Sequence, residues 1–383
     1  MLLLVSVAQP ACAQQNSVRV KQSSAHVKIR YENPIRNQRY PELVYWFFTP
    51  QTLSPQRYTR DIEHIAHDTK FTFPFLTARN GVSFFDSPAA HRAVAGIVSE
   101  AHRNGLRIGA QFPLQEVDSL RDAPLSDDQT VVADAEATLD ANGRATLEST
   151  IKLRSAPAKK TALLRVFVFR KTGLGEYDPA TLVDVTAKAV STEPAPGSIH
   201  ITLDLGPRFA GYTAFAMATT WFRALDLFSD AYTHWVHEAI DQYRDVPLDG
   251  TALDEFSYVH LPMHPATPWR GQLDGRAFAA HFRQSTGKPL TKILFETRYA
   301  PAGHPEVRIR AIDLYWDFLR TGPLRIEREF YNYSRQVFGD KTFAGIHNTF
   351  HNHLTNDEAW ATGINWWTIP RQYGMSDEDL SLP

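Results

Sequence analysis

Leu248-Asp249-Gly250-Thr251-Ala252-Leu253-Asp254-Glu255-Phe256 is a short apolar run that ends in two adjacent carboxylates. It reads as a buried strand, and a buried strand needs a reason to finish on charge, because an unpaired carboxylate taken from water costs several kcal/mol. Catalysis is one reason: at the C-terminal end of a strand in an α/β barrel the charge sits among the loops that form the active site. The alternative is a strand end whose acids are solvated or paired with a nearby Arg. The order of elements around the stretch favours the first.

On either side of it, short apolar runs alternate with amphipathic helices from Pro41 onward, the pattern of a parallel α/β architecture. Residues 43–48 are predicted as a first strand. Ser54-Pro55 supplies an N-cap and a first-turn proline for a helix to about Asp68, with Tyr58, Ile62 and Ile65 on one face. Residues 71–76 form the second predicted strand, ending in a loop with Arg79-Asn80-Gly81. A helix over 88–103 stops at Asn104-Gly105, and 106–112 follows as the third strand. Then the helical period vanishes from about 118 to 221. Alternating stretches at 129–139, 145–153, 162–169, 198–205 and 212–220 are separated by Asn142-Gly143, Thr172-Gly173 and Pro196-Gly197. This is an all-β, sandwich-like insertion after strand three, suited either to packing at a barrel rim or to carbohydrate contact.

The helical pattern resumes over 229–244, with Tyr232, Trp235, Val236, Ala239, Ile240 and Tyr243 on a broad apolar face, and leads into the carboxylate strand. A His- and Pro-rich loop (260–270) follows, with His264, Trp269 and Arg270 as candidate pocket-wall residues, then helices over 275–284 and 306–338. A fifth strand, 342–346, runs into His347-Asn348-Thr349-Phe350-His351-Asn352-His353, and a sixth, 363–368, carries Asn365-Trp366-Trp367. The expected fold is therefore a TIM-type (β/α)8 barrel that is incomplete, because eight strands cannot close with two absent, and the chain reads as truncated. The expected organisation is a signal segment (1–13), a lead-in (14–40), a first barrel part (41–117), the β insertion (118–222) and a second barrel part (223–383).

The first fourteen residues, Met1 to Gln14, are an apolar run followed by Ala11-Cys12-Ala13 and polar sequence, which resembles a secretory signal cleaved after Ala13, although a positive n-region is missing. A lipoprotein signal using Cys12 is the alternative, and Gln9-Pro10-Ala11 approaches such a cysteine poorly. The expected product is soluble, secreted or periplasmic. Cys12 is the single cysteine, so the mature chain would have no disulfide or thiolate metal site, and a large core must hold it. The 383 residues, 43% hydrophobic, allow that core. No stretch after the signal is long and apolar enough to span a membrane. A net charge of −2 and a pI near 6.7 give no electrostatic footprint for nucleic acid. Aromatics reach 12% with 8 Trp, many beside polar residues, which suits sugars and large cores alike.

This order of elements resembles the barrel of the α-L-rhamnosidases of glycoside hydrolase family 106 and related sugar hydrolases. The likeness covers most of 40–373: the aromatic first strand Val44-Tyr45-Trp46-Phe47-Phe48, the Arg79-Asn80-Gly81 loop, the β module after strand three, Leu225-Asp226-Leu227-Phe228-Ser229-Asp230 ahead of a long helix, and the strand ending Asp254-Glu255. Family members usually carry Asp-Glu-Pro there, whereas this chain has Phe256, and His347-Asn348-Thr349-Phe350-His351 stands where a Gly-His run with a following acid is expected. The resemblance implies a carbohydrate substrate and cleavage by two carboxyl groups, one protonating the leaving oxygen and one activating water or attacking the sugar. Glu255 is then the candidate general acid. Asp254 takes a positioning role, since adjacent strand residues face opposite ways. The second acid could be Asp357, Glu358, Glu378 or a glutamate on a further strand.

Arg79, Asn80, His347, Asn348, His351, Trp46, Trp366 and Trp367 are the candidate sugar contacts. Each has a plainer reading, an ion-paired loop Arg or a core Trp. His347, His351 and His353 with Asp357 could bind a divalent metal in a metal-dependent hydrolase. Yet Asn348 and Asn352 share the stretch, and sugar hydroxyls use the same residue types; no cofactor and no metal is the expectation. A non-catalytic carbohydrate-binding barrel is the other alternative, and it would keep the aromatics without a second acid at bond-spanning distance.

Overall fold

In the computed structural model, parallel strands pair in the order in which they occur along the chain. The structure describes residues 43–78, 82–85, 87–112, 124–152, 157–253, 272–319, 321–348 and 376–378. All of them belong to one compact unit, Pro41–Pro383. The chain begins β1 (Leu43–Phe48), α1 (Pro55–Asp68), β2 (Phe73–Ala78), α2 (Pro88–Arg103), β3 (Gly109–Phe112). Nine strands follow: β4 (Asp128–Thr138), β5 (Arg144–Thr150), β6 (Ala158–Phe169), β7 (Lys171–Gly173), β8 (Glu176–Tyr177), β9 (Val183–Asp184), β10 (Val190–Ala195), β11 (Ser198–Asp204) and β12 (Thr213–Leu225). Then come α3 (Asp230–Asp241), β13 (Gly250–Leu253), β14 (Gln272–Leu273), α4 (Arg276–Thr286), α5 (Leu290–Glu296), β15 (Ala300–Pro301), α6 (Glu306–Leu319), α7 (Thr321–Phe338), β16 (Phe343–Asn348) and β17 (Ser376–Glu378).

The main sheet has the order β1-β2-β3-β13-β16-β17, every neighbouring pair parallel. Its helices pack on one face. Ile62 of α1, Val94 and Ile97 of α2, Trp235 and Val236 of α3, and Ile326 and Phe330 of α7 share a core with Phe48, Leu76, Ala110, Phe112 and Leu253 of the strands. Local chemistry sets the helix ends as the sequence suggests. Ser54 and Ser87 each precede a proline and accept a hydrogen bond from the N–H three residues on, Arg57 and Ala90.

The strand expected at 363–368 lies outside the described residues; among the described ones β17 borders β16, pairing through Ile346 and Ser376. Within the helical span expected over 306–338 the structure describes α6 and α7, on either side of residue 320. Gly322 lies so close to the Phe228 ring that a Cβ would come within 2.7 Å of it.

The β insertion forms a five-stranded sheet, β14-β4-β12-β6-β9, facing a three-stranded one, β10-β11-β5. Leu147, Val166, Val168, Ile199, Ile201 and Leu203 fill the space between them. The insertion is built from more than one chain segment. Strand β14 pairs with Val131 and Val132 of β4, and β15 pairs with β8. Phe295 of α5 stacks among Phe167, Phe169, Tyr177 and Phe215 at ring separations of 4.7 to 5.9 Å. Helix α5, in the stretch read from sequence as barrel, thus lies against the inserted strands.

A buried polar joint lies where these segments meet. Asp274, just after β14, accepts hydrogen bonds from the hydroxyls of Thr130 on β4 and Thr219 on β12. Burial pushes its carboxyl from the ordinary 3.8 up to about 6; the two hydroxyls oppose that shift and the charge of Asp226 adds to it. Asp226 is fully buried. It accepts from the N–H groups of Phe228 and Phe278, the latter in the first turn of α4. It therefore caps α4 from a distance, and Gly275 holds the N-cap position because a Cβ there would meet Asp226 Oδ2 at 2.1 Å. Burial raises Asp226 against those N–H groups and the charge of Arg325. Arg325 ties the joint to α7, donating to the carbonyls of Leu227 at 2.9 Å and Ser229 at 3.0 Å and to Thr233 Oγ1 at 3.1 Å.

Candidate functional site

Side-chain alternation gives the main sheet a second face, opposite the helices, and this face changes character along the strands. Near the strand starts it is aromatic. Tyr45, Phe75, Gly109, Gly250 and Phe343 form one register row across five strands. Phe73 and Phe75 lie 4.8 Å apart, and Phe343 meets them edge-on at 5.9 and 5.5 Å. The glycines make this possible. A Cβ on Gly109 would stand 2.4 Å from the Phe75 ring, and one on Gly250 would stand 2.7 Å from Phe73 and 2.8 Å from Phe75. Large and small residues therefore interdigitate across the face. The Arg107 guanidinium covers the Phe73 ring at 4.1 Å.

One step toward the C-terminal ends the face turns polar. The next row holds Thr77, Gln111, Ala252 and Gly345. The Thr77 hydroxyl donates to Gln111 Oε1 at 2.8 Å, both residues are 1% exposed, and Gln111 Nε2 has no hydrogen-bond partner among the described residues. In the row beyond, His347 is in register with Asp377, and Asn348 with Glu378 one position later. Strand β13 ends at Leu253, immediately before Asp254-Glu255. Asp249, at the other end of this stretch, serves the fold: its carboxylate accepts from the Ile108 N–H at 2.9 Å and contacts His102 Nε2 at 2.8 Å.

Of the residues singled out in the sequence, Asp254, Glu255, Arg79, Asn80, His351, Trp366 and Trp367 lie outside the described residues, as do His264, Trp269, Arg270, His353, Asp357 and Glu358. His347 and Asn348 are described as backbone at the end of β16, and Glu378 stands within β17, where a position after the sixth strand was expected. Trp46 is partly buried and packs with the helix-side core, while Tyr45 takes the aromatic position on the opposite face. Adjacent residues of a strand face opposite ways, and a run as uniformly apolar as β1 does not say which. Gln111 and Thr77 escaped sequence reasoning. Their signal was a period-two series, Phe73, Phe75, Thr77 beside Gly109, Gln111, in which polar residues replace ring and glycine.

Among the described residues, no group of three or more His, Cys, Asp and Glu side chains is arranged to hold a metal ion. No helix among them is long and apolar enough to cross a membrane. One further carboxyl is buried: Glu327 on α7 is 2% exposed, its Oε2 has no partner among the described residues, and burial holds it well above the ordinary glutamate value.

No protein-family model matches the chain, and no curated protein matches it. Among solved structures it is similar to a rhamnosidase from Novosphingobium sp. PP1Y, at 10% identity and a TM-score of 0.42, over 80% of this chain and 46% of that one. It is also similar to a trehalose-6-phosphate hydrolase from Bacillus licheniformis, at 10% identity and a TM-score of 0.30, over 81% of this chain and 45% of that one. A pyruvate kinase from Cryptosporidium parvum is matched at 10% identity and a TM-score of 0.23, over 87% of this chain and 73% of that one. The chain thus spans less than half the length of the first two.

Proposed function

We propose that this chain is a glycoside hydrolase of the α-L-rhamnosidase type, acting on an exported oligo- or polysaccharide, with its main sheet forming the wall of a TIM-type barrel. The observation that carries the reading is the polarity of the face opposite the described helices. It is sealed by aromatics at the strand starts and becomes hydrogen-bonding toward the strand ends, where the chain leads into Asp254-Glu255. Barrel enzymes gather their chemistry at those ends. Strands in chain order with helices on one face also separate this sheet from a doubly wound one, whose order reverses and which carries helices on both faces.

In this reading Glu255 protonates the leaving oxygen and Asp254 positions Glu255 or holds sugar hydroxyls. Burial and the neighbouring charge would raise the pKa of the acid, as general acid catalysis near neutral pH requires. The test is hydrolysis of a panel of aryl and alkyl glycosides, α-L-rhamnosides included, with and without EDTA. Glu255→Gln is expected to lower turnover of the alkyl glycoside by about 10² to 10⁴, the scale of general acid catalysis. The loss on an activated aryl glycoside should be smaller, because its leaving group needs less protonation. Wild-type rates for the variant on both substrates refute the assignment, and loss of activity in EDTA would favour the histidine-metal alternative.

A further inference from the structure

We propose that the Gln111 side-chain amide is a ligand-binding donor, set to hydrogen-bond a hydroxyl of the bound sugar at the floor of the site; this rests on the sugar-hydrolase reading above. Gln111 lies on the face opposite the described helices, in register with Thr77 on one side and Ala252 on the other. It is 1% exposed, and its Nε2 has no partner among the described residues. A buried amide left unbonded keeps its desolvation cost uncompensated. The strand needs no such group, for the row beneath is ring and glycine, and an apolar side chain of similar length would fill the space at no polar cost.

The neighbouring strand satisfies the amide oxygen and leaves Nε2 as it is. Thr77, equally buried, spends its hydroxyl on Gln111 Oε1 at 2.8 Å. This bond fixes the plane of the amide and leaves both Nε2 hydrogens for a partner outside the sheet. A rigid donor held by a second side chain, unused in the free chain, is the arrangement of a preorganised binding group. The ligand class follows from charge. Thr77, Gln111, Ala252 and Gly345 carry none, so the row suits a neutral polyhydroxyl compound and offers an anion no countercharge.

Stability and binding separate this role from a packing role, because they move in opposite directions. Gln111→Leu in the full chain should melt close to wild type, since the unbonded amide it removes offsets the Thr77 hydroxyl it leaves without an acceptor. On whichever glycoside the wild type cleaves, it should lose about tenfold in kcat/KM, mainly through KM, the scale of one hydrogen bond. Thr77→Val, which frees the amide to rotate, should shift KM the same way by a smaller factor. Unchanged KM in Gln111→Leu overturns the inference, as does a lowered melting temperature with binding intact. Gln111→Met provides a second apolar replacement; if both variants fail to fold by circular dichroism, Gln111 is structural and the inference is wrong. A wild type that cleaves no glycoside in the panel removes the hydrolase reading itself, an outcome distinct from an active wild type matched by its variants.

Discussion

Asp274 makes a quantitative statement about pH. Its carboxyl titrates at about 6 in the folded chain against 3.8 ordinarily, so between those values the folded protein keeps a proton that the unfolded chain has released. Stability from this group is therefore fully present below about pH 4, falls as pH rises to about 6, and stays level above. The difference of about 2 pK units, at 1.36 kcal/mol each, makes the loss about 3 kcal/mol. Asparagine has the size of the protonated acid and can meet both hydroxyls, its oxygen accepting from one of Thr130 and Thr219 and its amide donating to the other. Asp274→Asn should thus match wild type near pH 4 and exceed it by up to about 3 kcal/mol at pH 7.5. The Asp226 charge is already part of that gap, being one of the causes that raise Asp274. Urea unfolding of both proteins from pH 4 to 8, followed by tryptophan fluorescence, measures the gap. A gap that stays constant with pH, or one that favours wild type as pH rises, refutes the reasoning.

Gly109→Ala should destabilise by about 1–3 kcal/mol through overpacking, because its new methyl would start 2.4 Å from the Phe75 ring; a wild-type melting curve would refute the interdigitated floor. Arg325→Met keeps the aliphatic stem but leaves the Leu227 and Ser229 carbonyls and Thr233 without their donor. It should cost about 2–3 kcal/mol in chemical denaturation, and a cost under about 0.5 kcal/mol would mean that the joint does not depend on the guanidinium.

The parallel sheet was legible in the sequence where punctuation is local. Ser54-Pro55 and Asn104-Gly105 bound helices because caps and left-handed turns are decided by neighbouring residues, and Gly105 has a φ of 73°. The strand residues Gly250–Leu253 were legible for the same reason, as a short apolar run after a helix. What the sequence hid is long-range. Gln272–Leu273 is too short to announce a strand, and its partner lies some 140 residues earlier at Val131 and Val132. The glycine and phenylalanine row draws on four strands, so none of its members stands out in its own segment. Asp254 and Glu255, candidates from their position after a buried strand, lie outside the described residues, while Gln111 could not be named from sequence, since lacking a partner is a property of three dimensions.

The composite make-up of the inserted module bears on how the chain can be synthesised and cut. During translation β4 to β12 leave the ribosome well before Gln272 and Leu273, so the Val131–Val132 edge stays bare until about fifty more residues have been added beyond β12. A bare edge of paired valines invites strand addition from another nascent chain. Tyr299 and Phe295 arrive later still to cover Phe167, Phe169 and Phe215. The module is thus a poor cassette: an excision bounded near residues 118 and 222 would strand β14, α5 and β15 in the remainder, with their apolar faces uncovered, whereas boundaries chosen to include 272–301 would carry away the far anchor of the segment that begins at Asp254.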